Sequence, residues 1–247
     1  MKPRPLAFAC LAVALALSAA PAAHAQFWLA NSVNNNQIVE WAICDSALKK
    51  HQPLPSICAK YPKYSGAKSR QGSASPTPVA SVKVSPTATR FIPVAGDDSV
   101  KQLADSLGNT PQERQQILQL ATAGEQLFEK KYKGKGWDHT IAGAMTFFIV
   151  SVHIVRTGKQ PAADAENSLY ASLNATLAQS DISKASSKDK TALYNTLLAC
   201  AGLPLVFYVD GRQNNNAAQI EQAKTMATGF SRKLLNMEPE ALEGMLH

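Results

Sequence analysis

The chain has 247 residues, 45% of them hydrophobic and 17% charged, with a formal net charge of +7. That is the balance of an ordinary soluble protein, not of a chain that is disordered or membrane-embedded throughout. The positive excess is local. Between Asp45 and Asp97 there is no acidic residue, yet Lys49, Lys50, Lys60, Lys63, Lys68, Arg70, Lys83 and Arg90 lie there, whereas from Asp97 onward acids and bases nearly cancel.

In chain order, Lys2 and Arg4 precede an apolar run from Leu6 to Ala20, and Ala23-His24-Ala25 forms a small-x-small cleavage pattern before Gln26. Residues 1–25 are therefore expected to be a removed secretory signal, which leaves a mature chain of about 222 residues in the periplasm or outside the cell. The run is too short to span a bilayer comfortably. Cys10 lies inside it, too early to serve as the cysteine of a lipoprotein signal.

Residues 26–63 read as a short helical module, with Ile38, Trp41, Asp45 and Leu48 at helical spacing. Export favours oxidation, and Cys44 and Cys58, with Pro53 and Pro55 turning the chain between them, are the natural pair. Closing that loop would stabilise the module by roughly 3 kcal/mol in the chain-entropy view. No Cys-x-x-Cys is present, which argues against a thiol oxidoreductase. Residues 64–90, rich in Ser, Pro, Thr, Gly and Ala without periodicity, read as a flexible basic linker.

The main domain, 91–247, is expected to be all-α, a bundle of about six helices. Asp97 or Asp98 can cap a short helix carrying Val100, Leu103 and Leu107, stopped by Gly108. Thr110-Pro111-Gln112-Glu113 is a capping box with proline at the first helical position. The helix it starts presents Ile117, Ala121, Gly124 and Phe128 on one face and ends at Gly134 and Gly136. Asp138 is expected to cap an apolar helix running through Val155 and closed by Thr157-Gly158. Ile141 to Val155 contains Thr146, Ser151 and His153 and falls short of the roughly 20 residues of a span, so it reads as a buried central helix. No transmembrane segment is expected after the leader.

Pro161 opens a helix with the stripe Leu169, Leu173 and Leu177. Ser186 or Ser187 starts the next, with Leu193, Leu197 and Leu198; Cys200 in this apolar run reads as a small buried hydrophobe. Pro204 is expected to kink it. Leu205 to Val209 has strand-like composition, but a lone strand has no partner here, so a kinked or restarted helix is preferred. After the Asn214–Asn216 loop comes a helix with Ile220, Met226 or Ala227, Phe230 and Leu234, and Pro239 starts a last short turn.

Candidate chemistry is sparse. His139 and His153 are fourteen residues apart, about 21 Å on one helix, and cannot share a metal; no H-E-x-x-H or His/Cys cluster is present. Ser46, Ser65 and Ser187 each open an S-x-x-K, but three matches in a chain rich in Ser and Lys show how weak that pattern is, and Arg156-Thr157-Gly158 is a helix end where a K-T-G strand would be needed. Asp210 to Glu221 echoes a calcium loop, with Arg212 and Asn215 at the positions that need a ligand oxygen and a glycine. A polar interhelical turn explains it more simply.

The run Lys130, Lys131, Tyr132, Lys133, Gly134, Lys135, Gly136, Trp137 is a candidate surface for phosphate or glycan. Its plainer reading is helix-end lysines, capping glycines and a tryptophan anchoring the loop on the core.

Three stretches carry a family resemblance. They are Trp137-Asp138-His139-Thr140-Ile141-Ala142-Gly143-Ala144-Met145-Thr146-Phe147-Phe148 leading to Arg156-Thr157-Gly158, then Lys188 to Tyr194 running into Leu197-Leu198, then the helix from Ala217 to Leu235 followed by Glu238-Pro239-Glu240-Ala241-Leu242. In these the chain, over roughly residues 91–245, resembles a family of exported bacterial proteins classed as a domain of unknown function. The resemblance implies helical architecture and a secreted origin, and no activity.

The expected role is a non-catalytic binding or envelope-associated domain, with no cofactor. An envelope protein, or an anionic envelope surface met through the basic linker, is the partner considered; nucleic acid is less favoured. The alternative is a periplasmic enzyme whose polar residues meet only in three dimensions, around Asp138 and His139.

Overall fold

A computed structural model describes residues 84–246. The expected leader 1–25, the module 26–63 with its Cys44–Cys58 pairing, and residues 64–83 of the linker lie outside the described residues. The described part is all-helical. Seven α-helices follow one another: α1 Ser99–Leu107, α2 Pro111–Tyr132, α3 Ile141–Thr157, α4 Ala163–Ala178, α5 Ser187–Gln213, α6 Ala217–Leu235 and α7 Pro239–Glu243. Single 3-10 turns sit at Asp181–Lys184 and Gly244–Leu246. Among the described residues no strand forms, apart from one isolated antiparallel bridge between Arg90 and Thr140.

The caps explain the helix ends. Thr110 Oγ1 accepts from the Glu113 amide while the Glu113 carboxylate accepts from the Thr110 amide, the reciprocal box foreseen at the start of α2. Ser186 accepts from Asp189 at the start of α5. Gly158, at φ 73, closes α3 in the left-handed conformation that costs glycine least. One expected cap is corrected. Thr140, not Asp138, caps α3, its hydroxyl accepting from the Gly143 amide at 3.0 Å. His139, at φ 51, turns the chain between the two, and the Asp138 carboxylate is taken by Arg90.

α3 is the centre of the molecule. Every residue from Ile141 to Val155 is buried, with α4, α5, α6 and α7 packed around it. A helix that is apolar on all sides belongs inside such a ring. Its Thr146 is accommodated because the hydroxyl donates to the Ala142 carbonyl one turn back, at 2.7 Å. His153 is buried in the same helix.

α2 crosses α5 at two glycines. A Cβ on Gly124 would lie 2.3 Å from the Gly202 Cα, and the converse holds equally. The backbones can approach this closely because neither residue carries a side chain.

α5 runs as one helix of 27 residues with Pro204 inside it, so the segment after the proline is helical, as preferred over a strand, and does not restart. Packing against α2, α3 and α6 holds it across a position where proline offers no amide to the Cys200 carbonyl. By length and composition α5 could cross a membrane, but 67% of its most apolar window is buried inside the fold, as befits a core helix. Cys200 on it is a buried free thiol, its pKa pushed up by burial.

The linker boundary at residue 90 is also corrected. The Asn174 side chain donates to the Ser85 carbonyl at 2.7 Å and accepts from the amide and hydroxyl of Thr89, which is buried. Tyr170 Oη donates to the Pro86 carbonyl at 2.7 Å, and Thr89 in turn accepts the Ala142 and Ile141 amides at the start of α3. A Ser/Pro/Thr-rich composition reads as linker because it has no apolar period. Here polar side chains, not apolar ones, fix the segment to α3 and α4.

Candidate functional site

The loop from Lys133 to Thr140, between α2 and α3, gathers most of the residues singled out in the sequence. Three of its residues take positive φ, Gly134 at 84, Gly136 at 69 and His139 at 51. The chain thereby folds back on itself and sends Trp137 inward. Trp137 is 5% exposed and stacks on Tyr170 with ring centroids 4.2 Å apart and planes 4° from parallel. Tyr132 tilts against it at 4.6 Å and is itself buried. The tryptophan therefore anchors the loop on the core, and neither ring of the Lys130–Trp137 run faces solvent.

The lysines of that run divide by role. Lys131 pairs with Glu166 at 2.8 Å, a carboxylate with only 6% of its side chain exposed. Tyr132 Oη reaches the other oxygen of Glu166 at 3.3 Å, and burial together with that carboxylate raises the tyrosine's pKa. Lys135 donates to Asn167 at 2.9 Å and lies 4.5 Å over the Trp137 ring, a cation on the negative face of the indole. Lys130 and Lys133 are exposed.

Arg90 closes the outer side of the loop. Its guanidinium donates to the Gly136 carbonyl at 2.7 Å and to Asp138 Oδ2 at 3.0 Å. The hydrogen bond from Arg90 is the main influence that holds the Asp138 carboxyl below its ordinary pKa, although 57% of that side chain is exposed. The Phe91 amide donates to the His139 carbonyl at 3.0 Å. The His139 amide donates to Tyr194 Oη at 3.3 Å, and its exposed ring sits beside the rings of Phe91 and Tyr194 at 6.4 and 5.9 Å.

Burial pushes the Tyr194 hydroxyl up to about 12, with Glu125, Asp138 and Glu129 adding to the effect. Glu125 is raised as well, by burial and by Glu129, while His139 works the other way.

Asp138 and His139 are thus neighbours in sequence with separate engagements: the carboxylate faces Arg90, and the imidazole faces Phe91 and Tyr194. Among the described residues no group of three or more His, Cys, Asp or Glu converges in a way that could hold a metal ion. The Asp210 turn resolves into helix-capping: Asp210 lies in α5, Asn214 Nδ2 donates to its carboxylate, and Gln219 Nε2 donates to it from α6.

Sequence reading missed Arg90, Tyr170 and Tyr194. Arg90 and Asp138 are 48 positions apart, so no local spacing joins them. The one available signal was that Arg90 immediately precedes Phe91, the first core residue of the domain.

No curated protein and no solved structure matches the chain. One family model, described as "Family of unknown function (DUF6683)", matches residues 5–243, a span that takes in the N-terminal segments outside the three resembling motifs, and the chain belongs to that family.

Proposed function

We propose that this chain is exported and works at the cell envelope as a non-catalytic contact domain, its basic N-terminal segment meeting an anionic surface. The observation that carries the reading is the way the polar residues around Asp138 are used on one another. Arg90 bridges Gly136 and Asp138, and Trp137 fills the core beneath them. A carboxylate held below its ordinary pKa by an arginine is a poor proton acceptor at neutral pH. The engagement of Asp138 by Arg90 speaks against the enzymatic alternative around Asp138 and His139.

The charge pattern supplies the positive side of the reading. Of the eight cations between Asp45 and Asp97, Arg90 is committed to Asp138. Lys49, Lys50, Lys60, Lys63, Lys68, Arg70 and Lys83 remain, with no acidic residue among them. Such a run favours anionic surfaces in a salt-sensitive way. The Cys44–Cys58 pairing belongs to the same reading, since it needs an oxidising compartment. Thiol labelling of the unreduced chain that marked either cysteine would remove it.

The test is co-sedimentation of the chain from Gln26 onward with anionic vesicles at low and high salt. The same chain with those seven cations replaced by glutamine is the comparison. Retention at low salt that falls with salt and with the substitutions supports the tether. Negligible retention at both salt levels overturns it.

A further inference from the structure

We infer that the bundle carries a second anion-binding face of its own, where the C-terminal end of α2 meets the α3–α4 loop, and that its partner is an anionic phospholipid surface. The inference rests on the contact-domain reading above and adds a second place of contact to it. Lys130, Lys131, Lys133 and Lys135 come from one short stretch of sequence, and the fold brings Lys159 to them. Lys131 Nζ donates to Gln160 Oε1 at 3.3 Å, which sets the end of α2 beside the loop holding Lys159. Lys135, through Asn167, sets the following loop against α4.

Two of these lysines are committed to structure, Lys131 to Glu166 and Lys135 to Asn167 and Trp137. Lys130, Lys133 and Lys159 are exposed and form no ion pair among the described residues. Helix-dipole complementation accounts for Lys130, in the last turn of α2. Lys133, at the C-cap of α2, and Lys159, just past the C-cap of α3, also sit at negative helix ends, an attraction that leaves both side chains exposed. The neighbouring acids are few. Glu166 is already paired, Asp164 lies in the first turn of α4, and Glu129, exposed, directly precedes Lys130 in α2.

Ring placement decides the class of partner. Single-stranded nucleic acid and sugars are gripped by exposed aromatic faces on which they stack. Tyr132 and Trp137 are turned inward and buried. The face offers charge without stacking, which suits a plane of phosphate headgroups.

The entry point of the chain agrees with this. Pro86 is held by Tyr170, the ring on which Trp137 stacks under Lys135. The described chain therefore enters the bundle beside Lys135, at the edge of this face.

The experiment uses the chain from Gln26 onward and vesicles of phosphatidylglycerol with phosphatidylcholine, or of phosphatidylcholine alone. The triple variant K130Q/K133Q/K159Q is compared with K184Q/K188Q/K224Q, which removes the same charge elsewhere, and circular dichroism confirms that both are folded. The first triple should lower partitioning onto the anionic vesicles by about ten-fold or more, the second far less, because each lysine held near such a surface contributes several-fold. Equal losses in the two triples, or none, would overturn the inference. So would a patch-dependent loss seen on a soluble polyanion but not on vesicles, or binding to phosphatidylcholine alone. Loss with this triple while the seven N-terminal substitutions have no effect would uphold this face and remove the tether; the reverse would uphold the tether and remove this face.

Discussion

Thr140 serves two backbone groups with one hydroxyl, accepting from the Gly143 amide and donating to the Trp137 carbonyl at 2.7 Å. Replacing it with alanine strips the cap of the central helix and frees the loop that carries Trp137. We expect Thr140→Ala to lower stability by about 1–2 kcal/mol in urea denaturation. Tyr194 gives a pH prediction. Its folded pKa is raised from 10.0 to about 12. A raised folded pKa means that its contribution is complete below the unfolded value near 10 and is lost as pH rises through about 12. Absorbance titration of phenolate should show it ionising late, and stability should fall across that interval more steeply than in Tyr194→Phe. Asp138 has the opposite sign, its contribution present above its unfolded pKa and lost as pH falls through the lowered folded value. Its exposure keeps that effect small and sensitive to salt. At this scale the sequence was a partial guide. Trp137 was legible as a loop anchor because the glycines beside it permit the turn, while the owner of the Asp138 carboxylate was not, since Arg90 arrives from another part of the chain.

At the scale of elements, the crossing of α2 and α5 makes the sharpest prediction. Ala at Gly124 or Gly202 would place its Cβ against the partner backbone, which cannot move aside as a side-chain tip could. Alanine gains about 1 kcal/mol of helix propensity over glycine, yet overpacking costs about 1–3 kcal/mol. We therefore expect each single substitution to lower the thermal midpoint. The double variant should lose less than the sum, because the first Cβ already separates the helices for the second. The helices themselves were largely legible. Capping boxes, a proline at the first position and closing glycines act within a few residues, so the ends of α2, α3 and α5 were readable to within a residue or two. At Pro204 the local penalty allows a kink or a restart, and with neighbours packed on α5 the helix runs on without a restart.

At the scale of the whole molecule, a C-terminal strap holds α3 in place. Leu242 and Leu246 are buried, and Arg156 at the end of α3 binds both Glu240 and Glu243, the latter at 2.6 Å, and donates to Thr228 of α6 at 3.2 Å. Arg156→Gln leaves Glu243 without its cation in a position where only 21% of its side chain is exposed. Hydrogen exchange should then quicken over residues 237–246 while the middle of α3 stays protected, with a loss of about 1–3 kcal/mol in global stability. Equal exchange in variant and parent would show that apolar burial alone fastens the strap.

The sequence by itself determined which segments are helical, where most of them end and that Ile141 to Val155 is the core, because apolar period and capping chemistry act between residues a turn or two apart. The tertiary structure alone decided that residues 84–90 belong to the bundle, that α5 continues through Pro204, that Gly124 meets Gly202 and that Arg90 claims Asp138. Those contacts join positions as far apart as Ser85 and Asn174, 89 residues along the chain. At such distances only the packing of the whole brings partners together, and no local pattern records it.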